Sequence, residues 1–258
     1  EIEVLPRKEI LKIRSIQTLG NKTLNVKIGD RAAINLKNKK KIQLKRGDIL
    51  ASKGVMDTFT VAIITLIINS NKGFEIKNRQ RVKFYLGTSE AIGRITLCRN
   101  GILKEGQSDH AIIKLEKPCC AFIDDRFIIR SYSSMKTLAG GMILEIKKNS
   151  SLKKLKSTAI NIPLRPKERF KYFVNLEWKN PKTINEWRII FLNFEHLMNS
   201  WIKEHKLKLT IKNNLVYSVQ SEEKSIKEFV SFLDLYYTEN NLIKYVNDEI
   251  ILYSVKWS

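Results

Sequence analysis

The sequence has little of what staples or interrupts a chain. Three cysteines (Cys98, Cys119, Cys120), an odd number, make no disulfide framework, so a reducing compartment is the simpler expectation. Five prolines and eleven glycines in 258 residues exclude collagen-like and low-complexity classes. No run approaches the roughly 20 apolar residues of a membrane helix, and the longest candidate, Val61 to Ile68, is far shorter. His110, His196 and His205 have no metal-ligand spacing and read as surface or structural residues. No GxxxxGKS/T loop, HExxH, paired CxxC or GxSxG occurs, so nothing here cradles a triphosphate or builds a familiar catalytic centre. The start, Glu1-Ile2-Glu3-Val4, has no initiator Met and no basic signal region, which fits a fragment of a longer protein or a processed product. On its own residues the chain is a binding module and not an enzyme, with no catalytic residues, no metal and no cofactor of its own.

What is abundant is positive charge. Lys and Arg number 47 against 26 Asp and Glu, for a net charge of +21 and a pI near 9.8. Up to Lys147 there are 28 basic and 14 acidic residues, and the remainder holds 19 and 12, so the excess is spread and is not one tail. A folded surface this positive attracts polyanions, and nucleic acid is the expected partner because phosphate neutralisation dominates such affinities. A lysine-rich genome is the plainer explanation for the same composition.

The first 147 residues read as β. The runs Ile10 to Ile16, Arg31 to Leu36, Val61 to Asn69, Arg81 to Leu86 and Ile92 to Leu97 are rich in Ile and Val or alternate, with Gly-Asp, Gly-Asn and Asn-Gly turns between them. Many short strands at this spacing imply barrels or sandwiches. In Arg81 to Leu86 the alternation puts Val82, Phe84 and Leu86 on a packing face and Arg81, Lys83 and Tyr85 on a face free to meet an anion. Cys119 and Cys120 are adjacent on one such run and point to opposite faces, which suits core packing better than metal binding. Asp124-Asp125, beside Arg126 and Arg130, reads as a turn with an ion pair rather than a catalytic carboxylate pair.

After Ile146 the pattern changes. Lys147 to Lys156 is rich in Lys, Ser and Asn and reads as a linker, and all four tryptophans follow it. Apolar residues from Trp187 to Trp201 recur at helical spacing and predict one helix over Ile184 to Glu204, capped by Thr183 and Glu186. Lys208 to Ile211 and Val216 to Val219 flank Asn213-Asn214 as a hairpin, and Lys167 to Trp178 supplies an earlier helical piece, which is the order of a winged helix. A further helix is expected from Glu222 to Tyr237 behind Ser221, then β runs at Leu242 to Val246 and Ile250 to Val255. The fold class is therefore mainly β, then α+β: two small β-barrels, the first incomplete, and a winged-helix-like C-terminal region. The expected boundaries are 1–53 and 54–147 for the barrels, 148–164 for a linker and 165–258 for the C-terminal region.

Taken together, these pieces resemble a known family. Ile28 to Leu36 (with Gly29-Asp30-Arg31) and Leu44 to Ala51 (with Arg46-Gly47-Asp48) resemble the second domain of translational GTPases of the elongation factor Tu class, and Val4-Leu5-Pro6 and Ile13 to Gln17 match its preceding strands. Leu86-Gly87-Thr88-Ser89-Glu90, Gly93-Arg94, Asp125 to Ser133 and Lys136-Thr137-Leu138-Ala139-Gly140-Gly141 resemble its third domain, although Ala139 stands where glycine is common. With about 110 winged-helix-like residues following, the chain looks most like the bacterial selenocysteine-specific elongation factor without its GTP-binding domain.

That resemblance implies delivery of selenocysteyl-tRNA to the ribosome at recoded UGA codons in the cytoplasm, with GTP and Mg2+ held in the missing domain. It implies an aminoacyl pocket at Arg31, Gln17 and Asn35, where a guanidinium would favour an ionised selenol over a serine hydroxyl. It implies a tRNA-backbone grip at Lys83, Thr88, Arg94, Arg130, Lys136, Thr137, Gly140 and Gly141, the glycines allowing close approach of phosphate. An mRNA selenocysteine-insertion hairpin would meet Lys203, Lys206, Lys208 and Lys212, where basic residues also complement a helix dipole. The expected protein is monomeric, with no membrane partner. Two alternatives stand beside it: a fragment of another aminoacyl-tRNA-carrying translational GTPase, and a non-catalytic nucleic-acid-binding barrel and winged-helix protein.

Overall fold

The computed structural model describes residues 1–37, 42–68, 73–99, 101–134, 136–147, 151–204, 207–240 and 245. It divides into two compact units, Glu1–Asn161 and Ile162–Ser258. No described helix is long and apolar enough to cross a membrane.

The first unit begins with an open five-stranded antiparallel sheet. Its strands are β1 (Ile2–Leu5), β2 (Glu9–Thr18), β3 (Asn21–Thr23), β4 (Ala32–Lys37) and β5 (Ile49–Ala51). The order is β3-β2-β1-β5, with β4 also on β2, so among the described residues the sheet does not close on itself. The register pairs Ile16 with Ile34 and Ile13 with Leu36 on one face. Ile13 and Ile34 remain 39% and 37% exposed, so that apolar face lacks a full cover among the described residues.

A closed barrel follows in the order β11-β6-β13-β12-β8-β9. The strands are β6 (Thr58–Ile68), β8 (Arg81–Leu86), β9 (Ser89–Leu97), β11 (Ser108–Cys120), β12 (Arg126–Ser131) and β13 (Thr137–Lys147). A short two-stranded antiparallel sheet of β7 (Glu75–Lys77) and β10 (Ile102–Lys104) adds Ile76 and Leu103 to the barrel core. Alternation decides what fills it: Val82, Phe84 and Leu86 of β8 point inward, with Phe84 and Phe127 at 4.8 Å between ring centroids. Arg81, Lys83 and Tyr85 point outward, as the pattern predicted.

In β6 the apolar run is nearly continuous because its inner face fills the core and part of its outer face is covered as well. Ala62, Ile64, Leu66 and Ile68 line the core, while Ile63 is also fully buried on the outer side. The cover is α1 (Leu152–Asn161), which packs on β11 and β6 with Leu155 and Ala159 buried. Much of the segment 148–164, expected as a linker, is therefore helix. Its Lys and Ser residues are the solvent face of an amphipathic turn pattern whose apolar positions are few but well spaced.

The two sheets of this unit meet through Leu5, Met56 and Cys120, flanked by Ile49, Val55 and Phe122. Ser89 Oγ donates to the Gly47 carbonyl at 3.2 Å, and a Cβ on Gly47 would sit 2.9 Å from that hydroxyl. Gly47 (φ 95°) thus serves both a left-handed turn and a close approach. Asp124-Asp125 form a turn, with Asp125 Oδ2 accepting from the Phe122 N–H at 2.8 Å.

The second unit is a winged helix built on one aromatic hub. Its elements are α2 (Pro166–Leu176), α3 (Ile184–Ile190), a single 3-10 turn (Leu192–Phe194), α4 (Glu195–Lys203), β14 (Leu209–Lys212), β15 (Leu215–Ser218) and α5 (Val219–Glu239). The single helix expected over Ile184 to Glu204 is thus two, broken at the wholly buried Phe191. The reason is geometric. Trp187 and Trp201 lie 14 residues apart, about 21 Å along a straight helix, yet both touch Phe170, at 5.5 and 6.1 Å. Only a folded segment brings both rings to one partner, and helical periodicity does not reveal a break between two in-phase helices.

The ends follow local chemistry. Thr183 and Glu186 form the expected capping box, and hydrogen bonds from the Thr183 N–H and hydroxyl hold the Glu186 carboxyl below its usual range. Asn213 and Asn214 both have positive φ, 49° and 65°, which two-residue hairpins of primed type require. Thr183 makes a single antiparallel bridge to Leu215 at the wing. Helix α5 starts three residues earlier than Glu222 because Ser218, not Ser221, caps it, accepting from the Ser221 N–H. Apart from Tyr245, which is exposed and in no strand, the β runs expected after Asn241 lie outside the described residues.

Barrel closure generates a sharp prediction. A Cβ on Gly141 would fall 1.9 Å from the Thr65 carbonyl oxygen, whereas one on Gly140 would meet only ordinary contact at 3.6 Å. Gly141→Ala is expected to cost about 4 kcal/mol or more, a fall in Tm of about 10 °C or complete misfolding. Gly140→Ala is expected to shift Tm by less than about 3 °C. Calorimetry on both variants checks this, and equal melting temperatures would contradict it.

Candidate nucleic-acid interface

The outer wall of the barrel is organised in rows, because antiparallel register places one residue from each strand side by side. One row runs Glu90, Tyr85, Ile128, Gly140, Ile67 and Ser108. Ile128 and Ile67 are 46% and 55% exposed and flank the bare backbone of Gly140. The next row holds Ile92, Lys83, Arg130 and Thr137. Three of the residues proposed for a backbone grip, Lys83, Arg130 and Thr137, are therefore neighbours on one face.

Their charges are partly spent. Lys83 Nζ lies 3.2 Å from Glu90 Oε1, and this contact, with a hydrogen bond from Tyr85, holds the Glu90 carboxyl below its usual range. Arg130 stacks over Tyr85 at 5.1 Å. Arg94 is exposed and one row further along, opposite Arg81. Thr88 sits at the β8–β9 turn, beside the Ser89 that touches Gly47, and Lys136 is exposed just before β13. Gly140 faces outward, as a phosphate-approach site requires. Gly141 is placed differently: its missing Cβ makes room for the Thr65 carbonyl and the Phe127 ring.

In the open sheet, Gln17 pairs with Ala33 and Ser15 with Asn35. Gln17 and Asn35 therefore share one face, opposite the Ile16 and Ile34 face. Arg31 lies one residue before β4 and two before Ala33, exposed, with its carbonyl accepting from Thr18 Oγ1 at 3.3 Å.

In the winged unit, Lys203 and Lys208 are exposed at the end of α4 and the start of the wing, and Lys206 lies outside the described residues. Lys212 is exposed and forms an ion pair with Glu222. Lys167 with Glu204 and Lys179 with Glu228 are paired likewise.

The thiols take no part in this surface. Cys119 belongs to the barrel core and Cys120 to the cluster between the two sheets, on opposite faces as alternation predicts. Among the described residues no cluster of three metal-ligating side chains occurs. What sequence reasoning missed is Lys114 of β11, which the register sets directly opposite Arg94. Nothing in the sequence spacing of residues 94 and 114 signals that pairing.

By fold and surface the first unit is of the class of small antiparallel barrels with a cationic wall, joined to an open sheet. Residues 62–150 match the family model described as Selenocysteine-specific elongation factor, beta-barrel domain. A selenocysteine-specific elongation factor from Desulfomicrobium baculatum is 28% identical over 144 residues, which is 56% of this chain and 23% of that protein. The chain thus spans under a quarter of the length of that relative, and its barrel is similar to the one such factors carry.

Burial pushes the thiols of Cys98, Cys119 and Cys120 up to about 11. At pH 8 only about one thiol in a thousand is then thiolate, the reactive form. A disulfide reagent is expected to leave all three unmodified in the native chain over minutes and to label all three in denaturant. Fast labelling of any one in the native chain would contradict the placement.

Proposed function

We propose that this chain is the tRNA- and mRNA-binding part of a selenocysteine-specific elongation factor, which delivers selenocysteyl-tRNA to the ribosome at recoded UGA codons. GTP, Mg2+ and GTP hydrolysis belong to a domain outside this sequence, and the chain itself only binds. The setting is the cytoplasm. The observation that carries the reading is the match of residues 62–150 to the selenocysteine-specific barrel, found on a chain of net charge +21.

Each part has a physical task. The barrel wall around Arg130, Lys136, Thr137 and Gly140 holds the tRNA backbone, which fixes position without reading sequence. Arg31, Gln17 and Asn35 face the aminoacyl end, where Arg31 offers a fixed positive charge to an ionised selenol. The winged unit meets the mRNA hairpin through Lys203 and Lys208.

Fluorescence anisotropy with a labelled selenocysteine-accepting tRNA, repeated across a salt series, tests the reading. Binding is expected to weaken with salt along a log–log slope of about −3 or steeper, as several phosphate contacts demand. Arg31→Gln is expected to reduce the preference for selenocysteyl- over seryl-tRNA while leaving affinity for the uncharged tRNA within about twofold. Absence of tRNA binding, or a slope near zero, would overturn it.

A further inference from the structure

Across strands β11, β9 and β8 the register brings three cations into one line. Lys114 is opposite Arg94, and Arg94 is opposite Arg81. The residues flanking them in sequence, Val82, Ile95, Ile113 and Leu115, are buried in the core, so all three point outward. Like charges directly opposite one another on a sheet destabilise it. Some other cations of this barrel have a local carboxylate: Lys83 has Glu90, Lys77 has Glu75 and Arg99 has Asp109.

This line is different. Arg81 is held by Glu116 through two hydrogen bonds, at 3.0 and 3.1 Å, and lies 4.3 Å over the Tyr132 ring, so its guanidinium is fixed in place. Arg94 has only the Arg79 carbonyl at 3.5 Å, and among the described residues neither Arg94 nor Lys114 has a carboxylate partner. One carboxylate therefore serves three cations. Neighbouring strands lie about 4.8 Å apart, so a single phosphate seated between two strands can be reached by both heads. The site is rigid, because every member stands on a strand of the closed barrel.

We propose that Lys114 and Arg94, with Arg81 as a fixed end post beside Tyr132, form a phosphate-binding row for the RNA backbone on the β8–β9–β11 wall. This rests on the RNA-carrying reading above and extends it from Arg94 to Lys114, which the sequence did not single out, and to Arg81 as its fixed neighbour. RNA fits better than a lipid surface. The row bears no exposed large aliphatic side chain, and its exposed Tyr132 ring at one end suits a ribose or base face. The bound polyanion supplies the missing negative charge, so the repulsion tolerated in the free chain is relieved on binding.

The experiment measures affinity for an uncharged selenocysteine-accepting tRNA transcript against salt, together with Tm, for the full chain and its variants. Lys114→Gln and Arg94→Gln are each expected to weaken binding by about threefold to tenfold. Each should reduce the magnitude of the salt slope by about 0.7–0.9, and the double variant by about twice that. Tm should stay level or rise, because a repulsion is removed. Arg94→Lys should keep the slope. Lys227→Gln, an equal loss of charge on exposed α5, should change it by less than about 0.3. Parent chain that binds tRNA with Lys114→Gln and Arg94→Gln unchanged, or with Lys227→Gln equally affected, overturns the row and leaves the carrier reading standing. Parent chain that binds no tRNA overturns both. A fall in Tm that accounts for the lost affinity also overturns the row, since it would make the two residues structural.

Discussion

The first unit depends on one closure, where β13 lies against β6 at Gly141. The Thr65 carbonyl occupies the space of an absent Cβ, and the Thr65 hydroxyl accepts from the Met142 N–H at 2.9 Å. That contact lets β13 pair with β6 on one side and β12 on the other, turning an open sheet into a barrel. Closure fixes the register all the way round, and register decides which side chains share the outer wall. The cationic rows are thus a consequence of a glycine whose own bare side faces Thr65 and Phe127. Shifting one strand by one residue would exchange every outward cation for a core residue, so the surface chemistry and the core are specified together.

The two units present charge in different ways. On the barrel wall, cations stand on rigid strands, and several lack a carboxylate partner among the described residues. In the winged unit, Lys167, Lys179 and Lys212 are each tied to a glutamate. The exposed side of α4 carries Glu195, His196, Asn199, Ser200 and Lys203, close to electrical balance. This assigns the long-range attraction for a polyanion chiefly to the barrel.

Much of this was legible in the sequence, and the rest was hidden for identifiable reasons. Alternation in Arg81 to Leu86 gave the inward and outward faces of β8 correctly, and the opposed cysteines behaved as adjacent strand residues must. The capping box and the Asn213-Asn214 turn were readable because both are local. The break at Phe191 was not, because Phe170, which makes it necessary, lies outside the periodic stretch. Helix α1 was obscured by its lysines, since only Leu155 and Ala159 mark its buried side. At Gly140-Gly141 the sequence showed two glycines, while only the fold distinguishes an open surface position from a packing requirement. The partnership of Lys114 with Arg94 is a matter of strand register, which no spacing along the chain encodes.

The most direct test of the central claim, that the barrel wall is where tRNA lies, is lysine acylation of the chain with and without tRNA, read by mass spectrometry. The account predicts strong protection of Lys83, Lys114 and Lys136 on saturation, with Lys224 and Lys227 of α5 unchanged. Protection spread evenly over the lysines, or confined to α5, would contradict it.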